Sequence, residues 1–341
     1  MHGSTRPRSP DGSSTRWRVA RALARLAPAL LLVAVGSADV APAIALPITK
    51  LAIEATSAAS DTPAPGVDAV ATEATGASWL ARLNALRETA KLPPVAEAPA
   101  WSTGCEQHAE YLVRNRTHGH YQQPDNPWFT QEGAECGRSG NVISGRMSTG
   151  MAAYGQEAMV DAWMTAPFHG LGFINPGLST VAFGQYAEVS DGLRHWAATL
   201  DIMRGLTPTP QTQYPVMWPA DGASVGLTRY AGNEYPDPLT GCAGYGLEAG
   251  LPILLLTGNG AGSPQIVASQ VVQNGQPLEH CVLSETTYTN PDPAMQQLAR
   301  AVMGFQDAVI IIPRSPLQNG ASLSVTVTLT TGAYAWGFST H

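Results

Sequence analysis

The sequence predicts an α+β protein in two parts, and three observations carry that reading. Apolar residues recur at helical spacing through the first half of the ordered chain, in segments opening at Ser78, Trp101 and Gln156. Two strand-like runs, Ser179 to Ala187 and Leu193 to Met203, then close that half. Beyond Thr207-Pro208-Thr209-Pro210 the helical period gives way to alternation, as in Leu323, Val325, Val327 and Leu329 between Ser and Thr. A chain of 341 residues accommodates two such domains.

The first 45 residues read as a secretory signal peptide. Arg6, Arg8, Arg16, Arg18, Arg21 and Arg25 form a basic region, Leu26 to Val35 is a short apolar run, and Ala43-Ile44-Ala45 is a cleavage signal. The apolar run is well short of the ~20 residues that a membrane-spanning helix needs, so the mature chain is expected to have no transmembrane segment. Residues 46–76, rich in Ala, Thr and Pro without a steady period, read as a disordered linker.

In the first domain, expected over 77–206, Trp79, Leu80, Leu83 and Leu86 mark a helix that Pro93-Pro94 ends. A second helix is expected over about Trp101 to Arg116, with Cys105, His108, Tyr111 and Leu112 on one face. Thr117 to Ser139, full of Gly, Pro and Asn, reads as a loop carrying His118-Gly119-His120. A third helix is expected over about Gln156 to Met164, breaking at Pro167 with His169 just past the break. The turn at Ser190-Asp191-Gly192 joins the closing strands. Helices followed by paired strands fit an α+β or α-β-α layered unit.

A second linker is expected over 207–214 and an all-β domain over 215–341. Gln265 to Val272 and Pro277 to Leu283 flank Asn274-Gly275, a strong hairpin signal. Ala308 to Ile312 reads as a buried strand, and Thr331-Gly332 turns the chain into Tyr334 to Phe338. Short strands at regular spacing suggest a β-sandwich of immunoglobulin-like type.

Composition narrows the function. Charged residues make up 13% of the chain, against ~25% in ordinary soluble domains, and Gly and Pro are plentiful. That balance suits a loop-rich protein that is secreted or held at the cell envelope. A net charge of −7 gives no reason to expect nucleic acid as a partner. The four cysteines include no C-x-x-C pair, so two disulfides are expected rather than a thiolate zinc site. Of the three possible pairings, the domain split favours Cys105–Cys136 and Cys242–Cys281, which stay within one domain each. There is no P-loop, no dinucleotide fingerprint and no G-x-S-x-G elbow.

Several segments resemble, in family order, the CAP superfamily of cysteine-rich secretory proteins, antigen 5 and pathogenesis-related proteins, particularly its bacterial secreted branch. They are Leu83 to Arg87, His108 to Leu112, His118-Gly119-His120, Ser139 to Val142, Ala162 to His169, Val181 to Gly184 and His195-Trp196. The resemblance spans Trp79 to about Arg204 and implies an α-β-α sandwich. It also implies a cavity with two histidines and two acidic residues, which in some members hold a divalent metal such as zinc. His169 takes the second histidine position; His120, ahead of His118, takes the first. Asn141 falls in the cleft. Gly140 and Thr165-Ala166 stand where the acidic residues are expected, leaving Glu132 and Glu135 as possible substitutes.

Trp218 to Gly222, Glu234 to Pro238, Ile312 to Leu317 and Trp336 to Thr340 are similarly compatible with an immunoglobulin-like module found after CAP domains in some bacterial proteins. The resemblance implies a non-catalytic secreted protein binding a lipid, a small ligand or a cell-envelope target. The alternatives are a metal-dependent hydrolase acting on peptide or cell-wall material and a structural or adhesive envelope protein.

Overall fold

The computed structural model describes residues 78–152, 154–207, 212–232 and 234–341. The leader and first linker expected over 1–76, and most of the Thr207 to Pro210 linker, lie outside the described residues. No helix among the described residues is long and apolar enough to cross a membrane.

The first part is a three-layer unit. Its elements are α1 (Ser78–Glu88), β1 (Ala96–Glu97), α2 (Pro99–Asn115), α3 (Gln131–Arg138), β2 (Gly140–Ser148), α4 (Gln156–Thr165), α5 (Pro167–Phe173), β3 (Thr180–Ser190) and β4 (Leu193–Asp201). The strands form one sheet in the order β1-β3-β4-β2. Alternation along β3 assigns the layers. Ala182 packs with Cys105 and Cys136 of α2 and α3, whereas Phe183 points the other way. Phe183 stacks on Trp79 of α1 at 5.2 Å and meets the edge of Trp163 of α4 at 6.4 Å. Gly184 lets α2 lie directly on the sheet: a β-carbon there would sit 1.9 Å from the Glu106 backbone nitrogen. The β3–β4 hairpin turns at Asp191 and Gly192, both at positive φ, on the predicted residues.

Three elements here depart from expectation. The Thr117 to Ser139 loop contains helix α3, whose N-cap Thr130 accepts a hydrogen bond from the Gly133 N–H. Gly133 and Gly137 lower its helix propensity but allow close packing, since a β-carbon at Gly137 would strike the His108 ring. Strand β2 was not expected; it pairs with β4 from Gly140↔Asp201 to Ser148↔Leu193. His169 lies not on a loop but on the short helix α5, started by Pro167 at its N-terminal position.

The second part contains two sheets. One has the order β10 (His280–Ser284), β11 (Ala308–Pro313), β7 (Ile253–Leu256), β5 (Val216–Trp218). The other has the order β6 (Ser224–Val225), β13 (Gly332–Thr340), β12 (Ser322–Leu329), β8 (Ile266–Gln273), β9 (Gln276–Pro277). The Asn274-Gly275 turn forms as predicted, but its return strand divides. Val272 pairs with Pro277, and His280–Ser284 crosses to the other sheet to pair with β11. The region is not all-β, because α6 (Pro293–Gly304) intervenes. Asp292 caps it by accepting from the Ala294 and Met295 N–H groups, and Pro293 stands at its first turn.

Both disulfides join as expected, Cys105–Cys136 and Cys242–Cys281. One hydrophobic cluster runs through both parts, from Trp79, Trp163 and Phe173 to Leu254, Ile311 and Trp336. Across the seam, the Trp218 indole N–H donates to Thr89 Oγ1 at 2.9 Å. Gln306 Nε2 donates to the Leu171 carbonyl at 3.0 Å, and Phe168 meets Tyr288 edge-on at 5.6 Å.

Candidate functional site

The chemistry-bearing residues come from α5, β2 and the segment ahead of α3, joined by one residue of the second part. Helix α5 follows α4 after a one-residue break at Ala166, whose extended backbone sits ahead of Pro167. This sets His169 in the first turn of α5, with its imidazole 17% exposed. The C-terminal end of α5 is held by Arg87, which is wholly buried. Its guanidinium donates to the carbonyls of Pro93 (3.0 Å), Phe173 (2.5 Å), Asn175 (3.2 Å) and Leu178 (3.3 Å). Desolvation lowers its pKa to about 10, so it remains a cation placed where helix carbonyls accumulate.

The partner of His169 comes from the second part of the chain. Glu234 Oε1 accepts from the His169 Nδ1–H at 2.7 Å and from the His169 backbone N–H at 2.9 Å. The Glu234 side chain is fully buried, and desolvation raises its pKa, with His169 acting in the opposite sense. Its second oxygen, Oε2, is buried without a hydrogen-bond partner among the described residues. A carboxylate there accepts from Nδ1, which leaves Nε2 as the ring nitrogen that Glu234 does not engage. Asn141, buried on β2, donates to the His169 carbonyl at 3.4 Å, which places this predicted cleft residue beside it.

His120 and His118 are anchored in the same manner by other partners. His120 Nδ1 donates to the Gly137 carbonyl of α3 at 2.9 Å. Its pKa falls to about 4, first through desolvation, with His169 adding to the fall. His118 lies at 2.8 Å from Ser144 Oγ through Nδ1 and is lowered by desolvation and by His169. His169 therefore acts electrostatically on both other histidines. His108, on the side of α2 turned toward α3, is wholly buried; its Nε2 meets the Gly119 carbonyl at 3.0 Å and its Nδ1 meets Gln122 at 3.2 Å. It packs and positions the His118-Gly119-His120 segment.

The acidic positions explain themselves. Gly140 cannot carry a side chain, because a β-carbon would lie 1.8 Å from the Leu200 carbonyl oxygen. Thr165 is buried and returns its hydroxyl to the Asp161 carbonyl at 2.8 Å. Glu132 and Glu135 are exposed on α3, and Glu135 pairs with Arg204 at 3.6 Å. No hydrogen bond or ion pair joins either carboxylate to a histidine among the described residues. Glu234 is the carboxylate that sequence reasoning missed. Its signal was weak, since it lies 65 residues from His169 in a Tyr-Pro-Asp-Pro context that reads as a turn.

The donor set does not fit zinc as it is arranged. Tetrahedral zinc needs three or four nitrogen, sulfur or oxygen atoms converging at about 2.0–2.3 Å. Among the described residues, one group brings three potential ligand atoms within 4.8 Å of one another, Cys105, Cys136 and Asp201, and its sulfurs are joined as a disulfide.

Comparison with curated proteins finds no match to the chain. Residues 80–199 match the model of the cysteine-rich secretory protein family, CAP. Over these residues, which include His118, His120 and His169, the chain is similar to that family.

Proposed function

We propose that the chain is a secreted, non-catalytic binding protein whose histidine cleft receives a lipid, a small ligand or a cell-envelope target. The observation that carries this reading is the disposition of carboxylates. Metal-assisted hydrolysis needs carboxylates beside the histidines to complete the metal's shell. Here the carboxylate at the cleft, Glu234, is spent holding His169, and the family's acidic positions are Gly140 and Thr165. Two disulfides and the leader-like first 45 residues support export to an oxidising compartment. The segment order supports the bacterial branch of the family. The two sheets of residues 215–341 support an immunoglobulin-like reading with a helix inserted. Native mass spectrometry of protein purified from its own host tests the binding role. A co-purifying species lost in His169→Ala and His120→Ala supports it; a clean apo-mass that stays unshifted on incubation with envelope extract sinks it.

The 2.7 Å contact between His169 and Glu234 favours a second reading, a hydrolase of peptide or cell-wall material in which His169 Nε2 is the general base. Turnover of cell-wall fragments that disappears in both His169→Ala and Glu234→Gln would select it.

A further inference from the structure

A cavity opens under the C-terminal end of α2, and of His118, His120 and His169 it is His118 that lines it. Its volume is about 520 Å³, within the range of small-molecule sites. Leu112 and Val113 of α2 and Leu193 of β4 supply an apolar wall. The floor comes from the sheet face turned toward α2, where register places Ser144 beside Ala197 and Arg146 beside His195. Ala197 packs with Leu112 and Val113, which confirms which face this is.

The polar groups of this cavity are unevenly satisfied. His195 Nε2 is buried and has no hydrogen-bond partner among the described residues. Arg146, exposed at the rim, makes no hydrogen bond or ion pair among the described residues. Arg116 is already engaged, with Glu188 at 3.1 Å and with Ser190 Oγ. Asp191, at the turn of the β3–β4 hairpin, is the acidic lining residue. A buried ring nitrogen without a partner is destabilising unless a ligand or water satisfies it. An uncommitted guanidinium close by selects an acidic acceptor over a neutral one.

We propose that this cavity binds a small amphipathic anion: one acidic headgroup, carboxylate or phosphate, on a short apolar body. The headgroup lies between Arg146 and His195, and the apolar body lies along Leu112, Val113 and Leu193. Asp191 opposes the headgroup and so sets the affinity below what Arg146 alone would give. This inference stands apart from the proposed role of the histidine cleft, because His120 and His169 do not line the cavity.

Calorimetric titration of the full chain with octanoate, octyl phosphate, octanol and inorganic phosphate tests it. Octanoate or octyl phosphate binds, their ratio identifies the headgroup, and octanol and inorganic phosphate bind at least roughly tenfold more weakly. Arg146→Ala weakens the anion roughly tenfold or more, whereas Asp191→Asn tightens it several-fold. Both side chains are exposed, so unchanged melting temperatures show that the variants are folded. Absence of binding by both acids, equal binding of octanol, or weaker anion binding in Asp191→Asn overturns the proposal.

Discussion

The two faces of the first sheet are closed by different means. On the face covered by α2 and α3, the closing contacts come from the first part and the turn that follows β4. The Cys105–Cys136 bridge ties the helices, and Asp201, fully buried beside it, accepts from the backbone N–H of Arg204 at 3.3 Å and from its guanidinium. Arg204 in turn stacks over Trp101 at 4.6 Å. The face covered by α1, α4 and α5 has no covalent tie. It relies on the Arg87 clamp within the segment and on Glu234, Trp218 and Gln306 from the second part. His120 is anchored by α3 of the self-sufficient face, and His169 by a residue of the other part. The proposed cleft thus lies across a seam, because one of its histidines is anchored by a residue of the second part.

The largest test of that contrast is Arg87. Arg87→Met strips donors from three buried carbonyls and the half-buried Pro93 carbonyl at once. A cost of about 3–5 kcal/mol is expected, typical of breaking a buried charged network. Denaturant unfolding should show it, with Arg87→Lys recovering only part, since one ammonium cannot span the same four acceptors. A loss under about 1 kcal/mol would mean that the second part alone holds this face. On the other face, Cys105→Ser with Cys136→Ser opens a loop of sequence separation 31. The chain-entropy relation puts the cost at roughly 3–4 kcal/mol. His169 should keep its environment in this variant, as read by its imidazole NMR shifts, because its anchor is on the opposite side.

Sequence patterning revealed the self-sufficient parts and missed the borrowed ones. The spacing of Trp79, Leu83 and Leu86, the Asp191-Gly192 turn and the alternation from Leu323 to Leu329 each report local burial, and each gave its element. Helix α3 escaped because Gly133 and Gly137 look like loop residues; their role is close approach to Gln122 and His108. Helix α6 escaped although Asp292-Pro293 is a clear start signal, because its neighbours are strands on both sides. Both disulfides followed from keeping each pair within one domain. Glu234 could not follow from any local pattern. A single carboxylate meeting a helix 65 residues away leaves no periodicity, and the empty acidic positions at Gly140 and Thr165 were its only trace.

Glu234→Ala tests the seam directly. It leaves the His169 Nδ1–H and backbone N–H without an acceptor in a buried setting, and a loss of about 2–3 kcal/mol is expected. Glu234→Gln keeps an acceptor and should lose less. The two variants should differ in the His169 ring shifts more than in those of His120, whose anchor is the Gly137 carbonyl. Equal disturbance of both rings would show that the two faces are not independent.

The smallest effect concerns pH and lies within the α2–α3 face. His108 and His120 have folded pKa values lowered to about 4, below the ~6.5 of an unfolded histidine. The unfolded chain then binds more protons, so their contribution to stability is present above about pH 6.5 and is lost as pH falls toward 4. Asp201 behaves in the opposite sense. Desolvation raises its folded pKa to about 6, so its contribution is present below the unfolded value near 4 and is lost as pH rises through 6. The two trends oppose each other between pH 4 and 6. Asp201→Asn removes one of them, so stability should rise more steeply with pH in that window than in the parent, by on the order of 1 kcal/mol across it. An unchanged slope in denaturant titrations at pH 4, 5 and 6 would show that Asp201 stays ionised beside Arg204. The ion pair, rather than the disulfide alone, would then be what closes the α2–α3 face.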